Sequence, residues 1–173
     1  MFGNKELGTV VGVDLGEYSV YCSSGEVYEL PYLNLNNSSN IFEIRKQWKE
    51  SVAVQLLIKY DFIIFENLDE NSNTTNQFKN MLDFPDIVKN KAELYEKTVH
   101  ILTKKYKTSQ RCNVCGYINN KLKLNIGIKH WKCPKCQMEH DRDANAAINI
   151  LKFGITECGL PDRMPDKFAK INV

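Results

Sequence analysis

Nowhere in the 173 residues does an apolar run approach the roughly 18–20 residues a membrane span needs. The opening residues, Met1-Phe2-Gly3-Asn4-Lys5-Glu6, lack the apolar stretch of a secretion signal. Internal repeats and low-complexity tracts are absent too. These absences make the cytoplasm the expected compartment and set the membrane aside as a partner. Cysteine is scarce outside one cluster: of six, four fall into two pairs, leaving Cys22 and Cys158. In a reducing compartment those two read as free thiols rather than a disulfide. Acidic residues are scarce in one place only. Residues 89–135 hold twelve Lys or Arg and two acids, Glu93 and Glu96, while the remainder holds eleven basic and nineteen acidic residues. The overall charge of +2 conceals this split. A basic block beside an acidic remainder suits one face that meets polyphosphate and another that gathers cations, although a solvated lysine-rich face has the same composition.

What is present is ordinary in bulk. Apolar content of 43% and charged content of 25% describe a globular chain, and the length allows one good core with a small appendage. The most specific signal is Cys112-x2-Cys115-x17-Cys133-x2-Cys136. Two CxxC turns let four thiolates converge on one structural Zn²⁺ at about 2.3 Å each, a closed tetrahedral site. Gly116 relaxes the first knuckle and Pro134 stiffens the second. The 117–132 segment between the knuckles is expected to form a β-hairpin carrying Tyr117, Ile118 and Trp131. His130 and His140 could compete as ligands, but the cysteine set does not need them.

Along the chain, residues 9–13 read as a buried strand, and 18–22 and 27–30 as two further strands of an antiparallel meander. Residues 34–40 read as loop. Apolar positions Ile41, Ile44, Trp48, Val52 and Leu56 give a helical period over 41–60. Phe62-Ile63-Ile64-Phe65 is a second buried strand, and 69–76 a polar loop. Helix is expected around 75–82, pausing near Pro85 and continuing over 86–96, then a fifth strand at 99–102. After the zinc segment, 143–151 reads as a short helix with Ala144, Ala147, Ile148 and Leu151 on its buried stripe. The last twenty residues read as irregular tail. Three meandering strands followed by βαβ units give an α/β fold, a mixed five-stranded sheet with flanking helices in the RNase H-like (RuvC-like) order and an inserted zinc ribbon. The expected division is 1–107 for the first part of that domain, 108–138 for the zinc ribbon, and 139–173 for the last helix and tail.

Three acids stand at element ends: Asp14 after the first strand, Glu66 after the fourth, and Asp143 in the first turn of the last helix. Singly, each has a plain explanation as a turn residue, a solvated side chain, or an acid complementing the helix dipole, with Asp141 as the N-cap. Together, in this strand order, they meet at one sheet edge. Three carboxylates converging there repel one another unless divalent cations fill the site.

The combination of Gly12-Val13-Asp14-Leu15-Gly16, Phe65-Glu66-Asn67-Leu68, Lys91-Ala92-Glu93-Leu94-Tyr95, Thr108-Ser109-Gln110-Arg111-Cys112-Asn113-Val114-Cys115-Gly116 and Asp141-Arg142-Asp143-Ala144-Asn145-Ala146-Ala147-Ile148-Asn149-Ile150-Leu151 resembles the RuvC nuclease half of TnpB, the transposon-associated RNA-guided nuclease, and its type V CRISPR effector relatives. The resemblance covers roughly residues 8–152. It implies a catalytic triad of Asp14, Glu66 and Asp143 holding two Mg²⁺ or Mn²⁺ ions, and a metal-dependent endonuclease, with DNA the favoured substrate and 5′-phosphate products. Lys89, Lys104, Lys105, Lys107, Arg111, Lys129 and Lys132 would track the strand, with Trp131 or Tyr117 stacking on bases. The chain starts almost at the first catalytic strand, so the family's guide-binding N-terminal half is expected to be missing. The segment between Asp14 and Glu66 is shorter than the family's. A guide RNA and a separate guide-binding chain are therefore candidate partners. Two rival readings stay open: a nucleic-acid-binding regulator that does not cleave, and a subunit active only inside a two-chain guided complex.

Overall fold

The computed structural model describes residues 8–30, 40–68, 80–124 and 127–161. The loops expected at 34–40 and 69–76, the start of the helix expected at 75–82 and most of the C-terminal tail lie outside those residues, Asn40 apart. Three strands open the chain: β1 (Val10–Leu15), β2 (Ser19–Cys22) and β3 (Val27–Glu29). Helix α1 (Ile41–Lys59) leads into β4 (Phe62–Phe65), and α2 (Phe84–Ala92) into β5 (Thr98–Ile101). These strands form one sheet in the order β3-β2-β1-β4-β5. β1 pairs antiparallel with β2 and parallel with β4, and β5 extends the parallel side. This is the mixed RNase H-like sheet expected from the order of elements.

The two-residue period of the central strands sorts their side chains between two layers. Val11, Val13 and Leu15 of β1 and Ile63 and Phe65 of β4 pack with Val52, Ala53, Leu56 and Leu57 of α1 and Phe84 and Val88 of α2. Ile64 of β4, with Val10 and Phe62, faces the opposite layer, where Ile150, Leu151 and Ile155 cover it. Those residues belong to α4 (Arg142–Cys158). Continuing the alternation past Gly12 and Ile64 puts Asp14 and Glu66 on the α4 side of the sheet. The register Val13↔Phe65 sets the two acids one step beyond neighbouring, paired positions.

α4 lies unusually close to β1. A Cβ on Gly12 would stand 2.4 Å from the Ala147 carbonyl oxygen and the Leu151 backbone nitrogen. A Cβ on Gly154 would stand 2.5 Å from Ile64. Gly154 is therefore a contact residue within the helix. The expected end at 151 is corrected: α4 continues to Cys158 and stops at Gly159, whose φ of 60° closes the terminus. Its buried stripe is also corrected. Asp143, Ala146, Ala147, Ile150 and Leu151 face inward, whereas Ala144 and Ile148 are half-exposed.

Two further expectations change. Pro85 opens α2, where a missing N–H costs nothing, and residues 93–96 turn out of the helix with Glu96 at φ 53°. Residues 80–83 form a turn. In the zinc segment, Ile118 makes an isolated antiparallel bridge to Arg111, and the short α3 (Lys121–Leu124) follows. The hairpin encloses the second knuckle instead of joining the two: β6 (His130–Lys132) pairs with β7 (Glu139–Asp141). The knuckle makes the turn, with the Cys133 N–H on the Met138 carbonyl at 2.8 Å and Gln137 at φ 63°. No helix among the described residues is long and apolar enough to cross a membrane.

Candidate active site and metal centre

Asp14 lies inside β1, opposite Tyr21 of β2 and one residue before its last paired position, rather than after the strand as the sequence suggested. Glu66 follows β4 directly. Asp143 lies in the first turn of α4, behind the N-cap Asp141, whose Oδ1 accepts from the Asp143 N–H at 3.0 Å and the Ala144 N–H at 2.9 Å. Asp141 is thus occupied by the helix, and Asp143 is left to face the sheet. Asp14 is 9% and Asp143 8% exposed, and Glu66 is half-buried.

The electrostatics tie the three together. Burial, then the charges of Glu66 and Asp143, push the Asp14 carboxyl well above the usual carboxylate range, against the pull of Lys129 and Arg142. Burial raises Glu66 to about 7, opposed by the Thr108 hydroxyl, which donates to Oε1 at 2.7 Å. Tyr21 is raised by burial and by Asp143. Lys129, just before β6, places Nζ 2.6 Å from Asp143 Oδ2. Two cations, Lys129 and Arg142, against three acids leave the site short of positive charge. Its donors are all hard oxygens, the set that Mg²⁺ or Mn²⁺ takes.

The four cysteines of the ribbon lie together, every Sγ within 4.8 Å of the others. The Cys112–Cys136 and Cys115–Cys133 sulfur separations are both 3.6 Å. Tetrahedral thiolates at the usual Zn–S distance stand about 3.8 Å apart, so the cluster fits zinc. Neither histidine replaces a cysteine. His130 projects into solvent, whereas His140 is buried with Nε2 3.1 Å from Cys112 Sγ, a partner to the cluster rather than a member.

The residues expected to contact nucleic acid divide. Lys89, Lys104, Lys105, Lys107 and Lys132 are exposed. Lys129 is engaged by Asp143. Arg111 bonds the Gly116 carbonyl at 3.1 Å and lies over the Phe153 ring. Trp131 is corrected: only 8% exposed, it packs with Leu122, Cys112 and Cys133, its ring 4.7 Å from His140, so it offers no free face to a base. Tyr117 remains exposed.

Three residues at this site were not singled out from sequence. Thr108 is 2% exposed and bonds Glu66. Asn145 and Asn149 are each 2% exposed, and their amides bond the carbonyls of Thr108 and Arg111. Two asparagines at i, i+4 on the buried face of a helix were the available signal, because buried amides demand partners.

Residues 83–150 match the family model described as Cas12f1-like, TNB domain. A Streptomyces pristinaespiralis protein named "Putative RNA-guided DNA endonuclease" is 33% identical over 85 residues, 48% of this chain and 19% of that protein. The CRISPR-associated endodeoxyribonuclease Cas12f1 of an uncultured archaeon is 40% identical over 47 residues, 25% of this chain and 9% of that protein. The matched stretches thus span a fifth or less of those relatives. Among solved structures, a Cas12f1–sgRNA–target DNA complex aligns with TM-score 0.53 and 21% identity over 82% of this chain and 49% of that chain. A CRISPR-Cas12f ternary complex aligns with TM-score 0.57 and 18% identity over 87% of this chain and 40% of that one. With the sheet order and the cysteine ribbon already in place, the chain is similar over residues 83–150 to the Cas12f1-like TNB family, and its fold is similar to that of the Cas12f structures.

Proposed function

We propose that the chain is a metal-dependent RuvC-like endonuclease acting on nucleic acid, DNA foremost, with Asp14, Glu66 and Asp143 as the ligands of two Mg²⁺ or Mn²⁺ ions and the four cysteines holding structural zinc. Residues 1–107 and 139–173 form the catalytic domain in this reading, and 108–138 the zinc insertion. The observation that carries it is that Asp14 of β1, Glu66 after β4 and the buried Asp143 of α4, from three separate parts of the chain, lie where α4 packs on the sheet, near enough that Glu66 and Asp143 add to burial in raising Asp14. The chemistry such ions supply is activation of water and neutralisation of charge on a phosphodiester. The chain's own contribution is placement. Asp14 lies within reach of the charges of both other acids, the Asp141 cap fixes the turn that carries Asp143, and Thr108 holds Glu66. Lys129 neutralises Asp143 until a cation or a phosphate competes for it.

The test is a cleavage panel of single- and double-stranded DNA and RNA with Mg²⁺ or Mn²⁺. Asp14→Ala, Glu66→Ala and Asp143→Ala should each abolish cutting. Asp141→Ala should be milder, since it loses a cap worth about 1 kcal/mol and no ligand. Cleavage that survives all three triad substitutions would overturn the assignment. A second reading is favoured by the two Cas12f neighbours, one of them a complex with sgRNA and target DNA: cleavage that requires a guide RNA and a guide-binding chain. Activity appearing only when those are added would select it, and stable binding without cutting under any condition would select the regulator.

A further inference from the structure

We infer that Thr108 is a positioning residue for Glu66, and that the zinc lobe sets Thr108 through the paired amides of Asn145 and Asn149. This rests on the reading of Asp14, Glu66 and Asp143 as a divalent-cation site.

Glu66 needs external support. β4 ends at Phe65, whose carbonyl takes the Leu102 N–H at 2.9 Å. Beyond that point the sheet no longer fixes the chain. A half-buried glutamate there has three side-chain torsions to settle, and a ligand carboxylate must be settled before the ion arrives. The Thr108 hydroxyl supplies that restraint at 2.7 Å.

Thr108 has no sheet partner of its own. It opens a single helical turn, Thr108–Gln110, directly before the first zinc knuckle. What fixes it is α4. Asn149 Nδ2 donates to the Thr108 carbonyl at 2.8 Å and to the Arg111 carbonyl at 2.7 Å. Asn145 Nδ2 donates to the same two carbonyls at 3.4 and 2.8 Å, and its Oδ1 accepts the Asn113 N–H at 2.9 Å. The clamped stretch, 108–113, contains Cys112. Lys152 adds a bond from Nζ to the Asn113 carbonyl at 2.6 Å.

The connection is therefore continuous: zinc cysteine, clamped backbone, Thr108 hydroxyl, Glu66 carboxylate. Both asparagines spend their amides on the Thr108 and Arg111 carbonyls of a stretch held otherwise only by one helical turn and the Arg111–Ile118 bridge. The zinc knuckle holds the far end of that backbone through Cys112, whose N–H bonds the Tyr117 carbonyl at 2.8 Å, so its loss would loosen the clamped stretch. The lobe would then act on the carboxylate site at a distance, with no zinc ligand entering it.

The experiment is an Mn²⁺ titration followed by electron paramagnetic resonance on the full, zinc-loaded chain, with zinc content measured on each sample. Thr108→Val keeps the shape and removes the hydroxyl. It should weaken Mn²⁺ binding at least fivefold, toward the roughly 10–100-fold typical of outer-shell partners, while zinc stays near one per chain. Thr108→Ser restores the hydroxyl and should bind within about twofold of wild type, as expected if the hydroxyl rather than the fold is at stake. Asn149→Ala should weaken Mn²⁺ binding in the same direction with zinc retained. Wild-type titration by Thr108→Val, or a loss in Thr108→Ser equal to that in Thr108→Val, overturns the positioning role. Unchanged binding by Asn149→Ala overturns the coupling to the zinc lobe. Asp14→Asn is the control for the underlying reading: if it too binds Mn²⁺ like wild type, the carboxylate site itself is refuted and the inference goes with it.

Discussion

Glu66 is held between two opposing influences, burial that favours its protonated form and a Thr108 hydroxyl that favours its charge. Burial prevails and lifts it from 4.5 to about 7. The folded chain therefore keeps a proton on Glu66 at pH values where the unfolded chain has lost it. Between 4.5 and about 7 the folded state binds more protons, so metal-free stability falls as pH rises through that window. Asp14, raised by burial and by the charges of Glu66 and Asp143, adds in the same direction. Glu66→Gln should remove the share of this loss that belongs to Glu66. Without added divalent cation it should be more stable than wild type at pH 8 by roughly 1–3 kcal/mol, and close to wild type at pH 5. Urea denaturation at the two pH values measures this, and an equal difference at both would contradict it. Lys129 belongs to the same balance. Its membership in the basic segment suggested a phosphate contact, yet its ammonium lies 2.6 Å from Asp143. Sequence revealed the charge of Lys129 but not its neighbour, because the pairing depends on where β6 enters the site.

At the scale of elements, the site exists because α4 lies almost against the backbone of β1. Gly12 permits this. An alanine Cβ there would meet the Ala147 carbonyl oxygen and the Leu151 nitrogen at 2.4 Å, and neither backbone atom can swing aside. Gly12→Ala should thus lift α4 from the sheet and cost about 2 kcal/mol or more. Since α4 carries Asp143, the variant should also lose most of the stabilisation by Mg²⁺ that the proposed function expects of the wild type. Thermal melts with and without Mg²⁺ report both effects, and an unaltered Mg²⁺ shift would show that helix and sheet need not be so close. The sheet order was legible from the order of elements and the Asp141 cap from a single capping residue, whereas the parity that sends Asp14 and Glu66 to one face came with the register of β1 on β4. The length of α4 was not legible. Gly154 looks like a helix breaker by propensity, and only its contact with Ile64 explains why glycine is kept there. Nor was the burial of Trp131: an aromatic residue in a basic ribbon reads as a stacking platform until Leu122 and the cysteines are seen around it. The role of Thr108 left no periodic trace at all, since it depends on contacts with residues 42 and 41 positions away in sequence.

Across the whole molecule, the segment with twelve basic residues and two acids runs from the end of α2 through the zinc lobe. The fold does not deploy it evenly. Lys129 and Arg111 turn inward to Asp143 and to the first knuckle, while Lys104, Lys105 and Lys107 are exposed between β5 and the Thr108 turn. That turn is the one that bonds Glu66, so a strand lying along these three lysines would be led toward the carboxylates. Binding to single-stranded DNA in the proposed function should then be largely electrostatic and fall steeply from low to physiological salt. Reversing Lys104, Lys105 and Lys107 to glutamate should weaken it across all sequences alike, because phosphate contacts position without specifying. If each lysine meets one phosphate, the slope of log affinity against log salt should shrink by roughly two. Reversal at Lys167 and Lys170, which lie outside the described residues, should change little. Fluorescence anisotropy over a salt series decides between a working face and a merely solvated one. If the tail lysines matter as much as the central three, or if salt has no effect, the basic segment is only a solvated surface. If affinity is high and confined to one sequence, recognition resides in base contacts that this lysine row cannot make.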